Sequence, residues 1–198
     1  PFLNRTARAI VIDVEPEEIG RFHSAEVGII ADAKMALSQL REALGPHPQP
    51  PTTPWLRMLE EARASLYREQ EPHLNSTEKP MHPLRFVEEV KKALPEDAIV
   101  VTGHGAIDFW ADPVFQTHLP DHYLRAGQEG PIGAEIPYAV AAKLAHPDKP
   151  VLVLVGDGAF GYHCMEFDTA QRYQAPIVCV IGNDCSWGAI AHQQVQSF

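Results

Sequence analysis

Asp157 and Asp184 are the residues of this chain whose type and spacing are best suited to chemistry. Asp157 lies between two glycines in Val151-Leu-Val-Leu-Val-Gly-Asp-Gly-Ala-Phe-Gly161, and Asp184 follows 27 residues later in Gly182-Asn-Asp-Cys-Ser-Trp-Gly188. Each stands just past a run of β-branched and leucine residues, 151–155 and 177–181, with the length and composition of a buried parallel strand. Ligands of open α/β sheets bind where such strands stop. Two carboxylates at neighbouring strand ends offer hard oxygen ligands. Mg2+ takes a few such oxygens from a protein, and phosphate oxygens and water complete its octahedron.

The same residues satisfy a G-x-G-x-x-G pattern at Gly156, Gly158 and Gly161, and Asp184 has the place of an acid that holds a ribose. A dinucleotide-binding oxidoreductase is therefore one reading. Against it stands the carboxylate of Asp157, which would face a pyrophosphate with nothing to offset the repulsion unless a cation lies between them. Gly156 and Gly158 permit backbone angles and a closeness of approach that side chains forbid, and a helix is predicted over about 162–173.

Gly-Asp-Gly, a helix, a strand and an Asn-Asn-like pair resemble the diphosphate-binding motif of thiamine diphosphate (ThDP) enzymes, and the interval of 27 residues fits that family. The resemblance implies that Asp157, Asp184 and the backbone carbonyl of Ser186 ligate Mg2+, with Asp184 standing where the family usually has asparagine. The wider resemblance is to the acetolactate synthase-like group, which includes benzaldehyde lyase, the 2-hydroxyacyl-CoA lyases and the oxalyl-CoA decarboxylases. Gly161-Tyr-His-Cys-Met-Glu-Phe-Asp-Thr169 and Asn183-Asp-Cys-Ser-Trp-Gly-Ala189 look closest to its benzaldehyde-lyase-like branch.

Cofactor contacts implied by the resemblance are Gly105 and Ala106 in Gly103-His-Gly-Ala106, Gly130 and Ile132 in Gly130-Pro-Ile-Gly133, Gly156 to Ala159 (with Asp157 and Gly158 between), and Asp184, Ser186, Trp187 and Gly188. The Gly130 carbonyl would accept from the exocyclic amine of the aminopyrimidine, and the Ile132 amide would donate to a ring nitrogen. The Ile132 side chain would hold the cofactor bent, so that the imino nitrogen nears thiazolium C2. His104, His163 and Cys164 are further candidates for lining the pocket, although an isolated loop histidine is more often merely solvated. The activating glutamate of the family comes from a separate pyrimidine domain, normally on a partner subunit. Neither Glu135 nor Glu166 sits in its motif, so that residue is expected outside this chain, and Glu166 is expected to do structural work at a helix start.

The implied function is ThDP- and Mg2+-dependent making or breaking of a C–C bond next to a carbonyl, on a small carbonyl substrate, in a homodimer or homotetramer. Pyruvate-decarboxylase-like sites often carry a glutamate six residues past the second metal ligand, where this chain has Ile190. FAD in a central domain is compatible with the group but has no support in these residues. A separate diphosphate-domain subunit and a non-catalytic cofactor-binding module stand beside the dinucleotide reading as alternatives.

The elements that must position these residues can be read along the chain. The fold expected from about residue 80 is a flavodoxin-like, doubly wound parallel α/β sheet, with its first strand over 98–102 and a helix from Gly133 to about 145. Pro83 opens a helix with Phe86, Val87, Val90 and Leu94 on one face. Upstream, 9–14 and 26–30 read as strands, 15–20 as a turn, and Asp32 caps a helix over 33–44. Two strands and a helix cannot close a core. This piece resembles the end of a central domain through Ile12-Asp13-Val-Glu-Pro16-Glu-Glu18-Ile-Gly20 and Ala31-Asp32-Ala33, which places domains at 1–45, 46–79 and 80–198 and suggests the last third of a longer polypeptide. The connector from Gly45 to Pro54 is proline-dense and therefore extended. Thr53 caps a helix to about 71, whose stripe of Trp55, Leu59, Ala62 and Leu66 is expected to pack in a core or between domains.

At 198 residues and 45% hydrophobic content, the chain holds one ordinary core and part of another. A net charge of −10 argues against nucleic acid or an anionic membrane as partner. No apolar run approaches the ~20 residues of a membrane span. Three cysteines, Cys164, Cys179 and Cys185, make no pairable framework, so a reduced cytoplasmic setting is expected.

Overall fold

The computed structural model describes residues 4, 6–46, 53–115, 119–126 and 130–197. The chain divides into two compact units, Pro1–Glu61 and Ala62–Phe198. In the first, β1 (Ile10–Asp13) pairs in parallel with β2 (Val27–Ile30), joined through a 3₁₀ turn at Pro16–Glu18. Helix α1 (Ala33–Leu44) follows, and the Asp32 carboxylate caps it by accepting from the Met35 N–H at 3.0 Å. Ala36 is the one buried hydrophobic residue of this unit among those described, as expected of a piece too small for a core. Most of the proline-dense connector, 47–52, lies outside the described residues.

Helix α2 (Pro54–Leu74) starts where Thr53 Oγ1 accepts from the Leu56 N–H, and it crosses the division between the units. Its expected packing stripe is not packed: Trp55, Leu59 and Leu66 are all exposed, and the helix buries no residue. The periodicity of the stripe was real, but a stripe shows only which face a helix offers, and none of the described residues buries it.

The second unit is a four-stranded, all-parallel sheet of β3 (Ile99–Thr102), β4 (Tyr123–Arg125), β5 (Val151–Gly156) and β6 (Val178–Gly182), in the order β4-β3-β5-β6. Counted within the unit this is 2-1-3-4, the flavodoxin-like order, as the sequence led us to expect. Residues of the central strands alternate between two faces, and both faces are buried. Val100, Leu152 and Leu154 pack with Leu84 and Val87 of α3 (Pro83–Lys92) and Ile107 of α4 (Ala106–Ala111). Ile99, Val101, Val151, Val153 and Val155 pack on the other side with Ala139 and Ala142 of α5 (Glu135–Ala145). Helices on both faces make the fold doubly wound.

Three expectations need correction here. The helix expected over 162–173 begins at Asp157 itself, as α6 (Asp157–His163), and is reset at Cys164 and Met165 before α7 (Glu166–Arg172). Both linking residues keep right-handed helical angles, so their sequence carries no breaker to read. Second, β6 is half exposed, with Val178 at 59%, because it is the edge strand of the described sheet. Cys179 on it is only partly buried, yet burial still pushes its thiol up to about 11. Third, α4, β4 and the last helix, α8 (Gly188–Ser197), were not anticipated. The first two are too short for a periodic signal, at six and three residues.

The two-faced core sets the stability of the second unit. Leu154→Ala and Leu84→Ala, at residues with no exposed surface, should each cost about 2–5 kcal/mol, whereas Leu59→Ala on the exposed stripe should stay within about 0.5 kcal/mol. Urea denaturation followed by circular dichroism reads the difference. Equal losses at all three sites would contradict this arrangement.

Candidate functional site

The chain leaves β3 for β4 on one flank, then returns to β5 on the other, so the crevice beyond the ends of β3 and β5 is the topological switch point of the sheet. Two backbones meet there. A Cβ placed on Gly105 would fall 2.7 Å from Gly156 Cα, and one on Gly156 would fall 2.8 Å from Gly105 Cα. The Gly156 N–H donates to the His104 carbonyl at 3.0 Å, tying the β3 loop to the β5 loop. Gly105 also has φ +134°, which side chains rarely adopt. Gly156 has an ordinary extended φ of −75°, so its requirement is space rather than angle.

A cavity of about 160 Å3 opens over this crossing, lined by His104, Gly105, Asp108, Phe109, Ile132, Asp157, Gly158, Ala159, Trp187, Gly188, Ala189 and Ile190. Seven of the expected contact residues are therefore brought together: Gly105, Ile132, Asp157, Gly158, Ala159, Trp187 and Gly188. The Trp187 indole lies flat against Gly158, where a Cβ would come within 2.6 Å of the ring, and it pairs with Tyr162 at 5.9 Å between centroids. Gly130 sits at the His104 ring, and Gly156 packs behind Gly105 without lining the cavity. Residues 127–129, which open the expected glycine-rich segment, lie outside the described residues.

Ala106 and Asp184 line a neighbouring cavity of about 320 Å3 beneath α3, with Phe86 and Trp110. There the Asp184 carboxylate organises its own loop: Oδ1 accepts from the Ser186 N–H at 3.0 Å, the Ser186 hydroxyl at 3.1 Å and the Gly188 N–H at 3.1 Å. Asp157 Oδ1 accepts from the Gly158 N–H at 2.8 Å. The register of β5 and β6 pairs Gly156 with Gly182, so the carboxylates stand one and two residues beyond paired positions. No group of three or more His, Cys, Asp or Glu side chains arranged for a metal occurs among the described residues. The Asp157 and Asp184 carboxylates line different cavities, and each offers the hard oxygen that suits Mg2+.

Two acidic residues at the site were not among the expected contacts: Glu135, which the sequence had set aside as the activating glutamate, and Asp108. Glu135, the first residue of α5, has no exposed surface, and its Oε1 accepts from the His104 N–H at 2.8 Å and meets His104 Nδ1 at 2.7 Å. Gly103 makes room for it, since a Cβ there would overlap the carboxylate at 1.8 Å. Asp108 is buried in the wall of the cavity, paired with Arg125, which also reaches Asp112 at 2.8 Å. Burial pushes the Asp108 carboxyl up, and the Arg125 charge pulls against it. A glycine preceding a strand-end histidine was the available signal for Glu135; for Asp108 there was none. His163 and Cys164 do not line the cavity. Glu166 accepts from the Thr169 hydroxyl at 2.7 Å within the first turn of α7, the structural work expected of it.

The pattern of the family described as "Thiamine pyrophosphate enzyme, C-terminal TPP binding domain" matches residues 103–198. The chain is 32% identical over 181 residues to 2-hydroxyacyl-CoA lyase 2 of Caenorhabditis elegans, covering 89% of this chain and 28% of that protein. It is 36% identical over 190 residues to the acetolactate synthase large subunit IlvG of Mycobacterium tuberculosis, covering 94% and 34%. With 2-hydroxyacyl-CoA lyase 2 of Bos taurus the identity is 31% over 202 residues, covering 98% and 31%. The chain thus spans about a third of the length of these relatives.

The glycines of the Gly156–Gly161 pattern differ in what they permit. A Cβ on Gly161 meets nothing within 4 Å, so the third glycine has none of the close helix packing that a dinucleotide fingerprint asks of it. Gly161→Ala, inside α6, should leave the melting temperature unchanged or raise it, by about 0.5–1 kcal/mol of stability. Gly156→Ala should lower stability by about 1–3 kcal/mol because two backbones must separate. Thermal denaturation monitored by circular dichroism checks both, and a loss at 161 as large as at 156 would restore the dinucleotide reading.

Proposed function

The chain belongs to the thiamine pyrophosphate enzymes, and from that premise we propose that it holds the diphosphate of ThDP through Mg2+ in an enzyme that makes or breaks a C–C bond beside a carbonyl. The observation that carries this reading is the cavity at the crossing of Gly105 and Gly156, where the bare backbone of Gly105 and Gly158 stands beside the Asp157 carboxylate. Asp157, Asp184 and the Ser186 carbonyl would be the metal ligands. Bound ThDP supplies a thiazolium carbon nucleophile.

This chain's residues divide the remaining work. A carboxylate and a phosphate charge about 5 Å apart repel by about 3 kcal/mol at an effective dielectric of about 20, so Asp157 and Asp184 need the cation between them and the diphosphate. Ile132, Phe109 and Trp187 give the cavity apolar walls. Gly130 and Ile132 would contribute a carbonyl and an amide to the aminopyrimidine. Ile190 lines the cavity with a side chain that neither donates nor accepts a proton, which favours carboligation or lyase chemistry over simple decarboxylation of pyruvate. A glutamate from the pyrimidine domain of a partner subunit in a homodimer or homotetramer completes the proposed enzyme.

Two outcomes check this. ThDP titrated calorimetrically into the protein should bind with Mg2+ and lose affinity in chelator; equal affinity in both would sink the metal assignment. Asp184→Asn keeps an Oδ1 for the loop bonds at 3.0–3.1 Å, so a higher Mg2+ requirement in that variant reports ligation rather than loop damage, and Asp184→Ala should weaken ThDP far more. With pyruvate as sole substrate, the full-length enzyme should release little acetaldehyde. Acetaldehyde as the main product would count against the carboligase or lyase assignment.

A further inference from the structure

A carboxylate with no exposed surface, one oxygen without a hydrogen-bond partner and the other shared between two nitrogens of a single histidine is costly to maintain. Its geometry fixes where the histidine keeps its proton. Glu135 Oε1 accepts from the His104 backbone N–H, which can only donate. An ionised carboxylate has only acceptors to offer, so its Oε1 meets Nδ1 as an acceptor as well. Nδ1 must carry the hydrogen. In the neutral imidazole this leaves Nε2 with a bare lone pair, since the partner of one ring nitrogen sets the role of the other.

The ring that carries this lone pair stands at the cavity. His104 is one of the lining residues, its side chain is 29% exposed, and Nε2 lies on the side of Gly130, where a Cβ would come 3.5 Å from it. Both main-chain groups of His104 are engaged, the N–H by Glu135 and the carbonyl by Gly156, so the ring is carried on a backbone that cannot easily turn. Gly103 is the sequence cost of this arrangement, since any side chain there would displace Glu135.

We propose that Glu135 is a positioning residue that locks His104 in its Nδ1–H form, and that His104 Nε2 accepts a hydrogen bond from an N–H or O–H group of the molecule bound in the cavity. The choice of ligand rests on the ThDP reading. Two sources carry such a donor there: the exocyclic amine of the cofactor and the hydroxyl of a 2-hydroxy-ketone substrate.

The first arm of the test needs no ligand. Long-range 1H–15N spectra of the protein in mildly alkaline buffer, with His104→Gln used for assignment, should show Nδ1 protonated and Nε2 bare. Glu135→Gln should keep that pattern, because an amide oxygen accepts from the same two nitrogens. Glu135→Leu should release it toward the Nε2–H form. An Nε2–H signal in the parent, or an unchanged spectrum in Glu135→Leu, overturns the locking role. The second arm compares binding of ThDP with Mg2+ against an analogue lacking the exocyclic amine, and KM against kcat for a 2-hydroxy-ketone, in the parent, His104→Gln and His104→Leu. If the cofactor amine is the donor, His104→Leu loses about fivefold to tenfold of affinity for ThDP and none for the analogue. If the substrate hydroxyl is the donor, the loss of that size falls on the ketone kinetics alone. His104→Gln, which retains an acceptor, should recover part of either. Equal weakening of ThDP and analogue with unchanged ketone kinetics overturns the acceptor role. Failure of the parent to bind ThDP or the analogue is a failure of the cofactor reading, and the spectra then decide the pair by themselves.

Discussion

The site depends on one contact, the approach of the Gly105 and Gly156 backbones to a distance that no β-carbon on either could share. Parallel strands in a sheet lie about 4.8 Å apart and diverge with twist beyond their ends. Here the two loops stay together past β3 and β5, tied by the Gly156 N–H on the His104 carbonyl. That closeness puts a histidine from one loop and an aspartate from the other on the same small cavity. It also explains why the sheet order matters: only at the place where the chain reverses direction across the sheet do two neighbouring strand ends have their loops leading away to opposite flanks.

Much of this was legible in the sequence, for physical reasons that can be stated residue by residue. The runs at 151–155 and 98–102 announced buried strands because both of their faces are covered, and a strand covered on both faces has no polar alternation to blur it. Asp32 and Thr53 announced helix starts because capping is local chemistry, complete within three residues. Of the backbone contacts drawn from family resemblance, Gly105 and Gly158 reached the cavity, while Ala106, Gly130 and Ser186 do not line it. What escaped were features made by contacts distant in sequence. Glu135 and His104 are 31 residues apart, and Asp108 and Arg125 are 17 apart. Nothing in the local sequence shows that Asp108 will be buried and paired, and for Glu135 the one trace is the glycine before His104. The α2 stripe failed in the opposite sense, since its pattern was local and clear while its burial would have needed a partner surface.

The buried charges divide into two kinds. Asp108 belongs to a network in which Thr102 donates to the Tyr123 hydroxyl at 2.9 Å, Tyr123 donates to Asp112 at 3.2 Å, and Arg125 bridges both acids. This cluster joins β3, β4 and α4 and braces the cavity wall from behind. Among the described residues Glu135 has a single one for its partner, and that residue lines the cavity. Removing one member of a network leaves the others to compensate, whereas a carboxylate with one partner depends on it entirely.

Position 104 therefore has an unusual independence. Its carbonyl ties the two loops together and its amide ties them to α5, while the imidazole adds a second contact to the Glu135 carboxylate. A different side chain there would inherit the same anchored perch over the cavity, provided that it still offered Glu135 an N–H. Variation of that kind could alter what the cavity accepts without disturbing the crossing of the two backbones, so that selectivity and scaffold can diverge separately along a lineage.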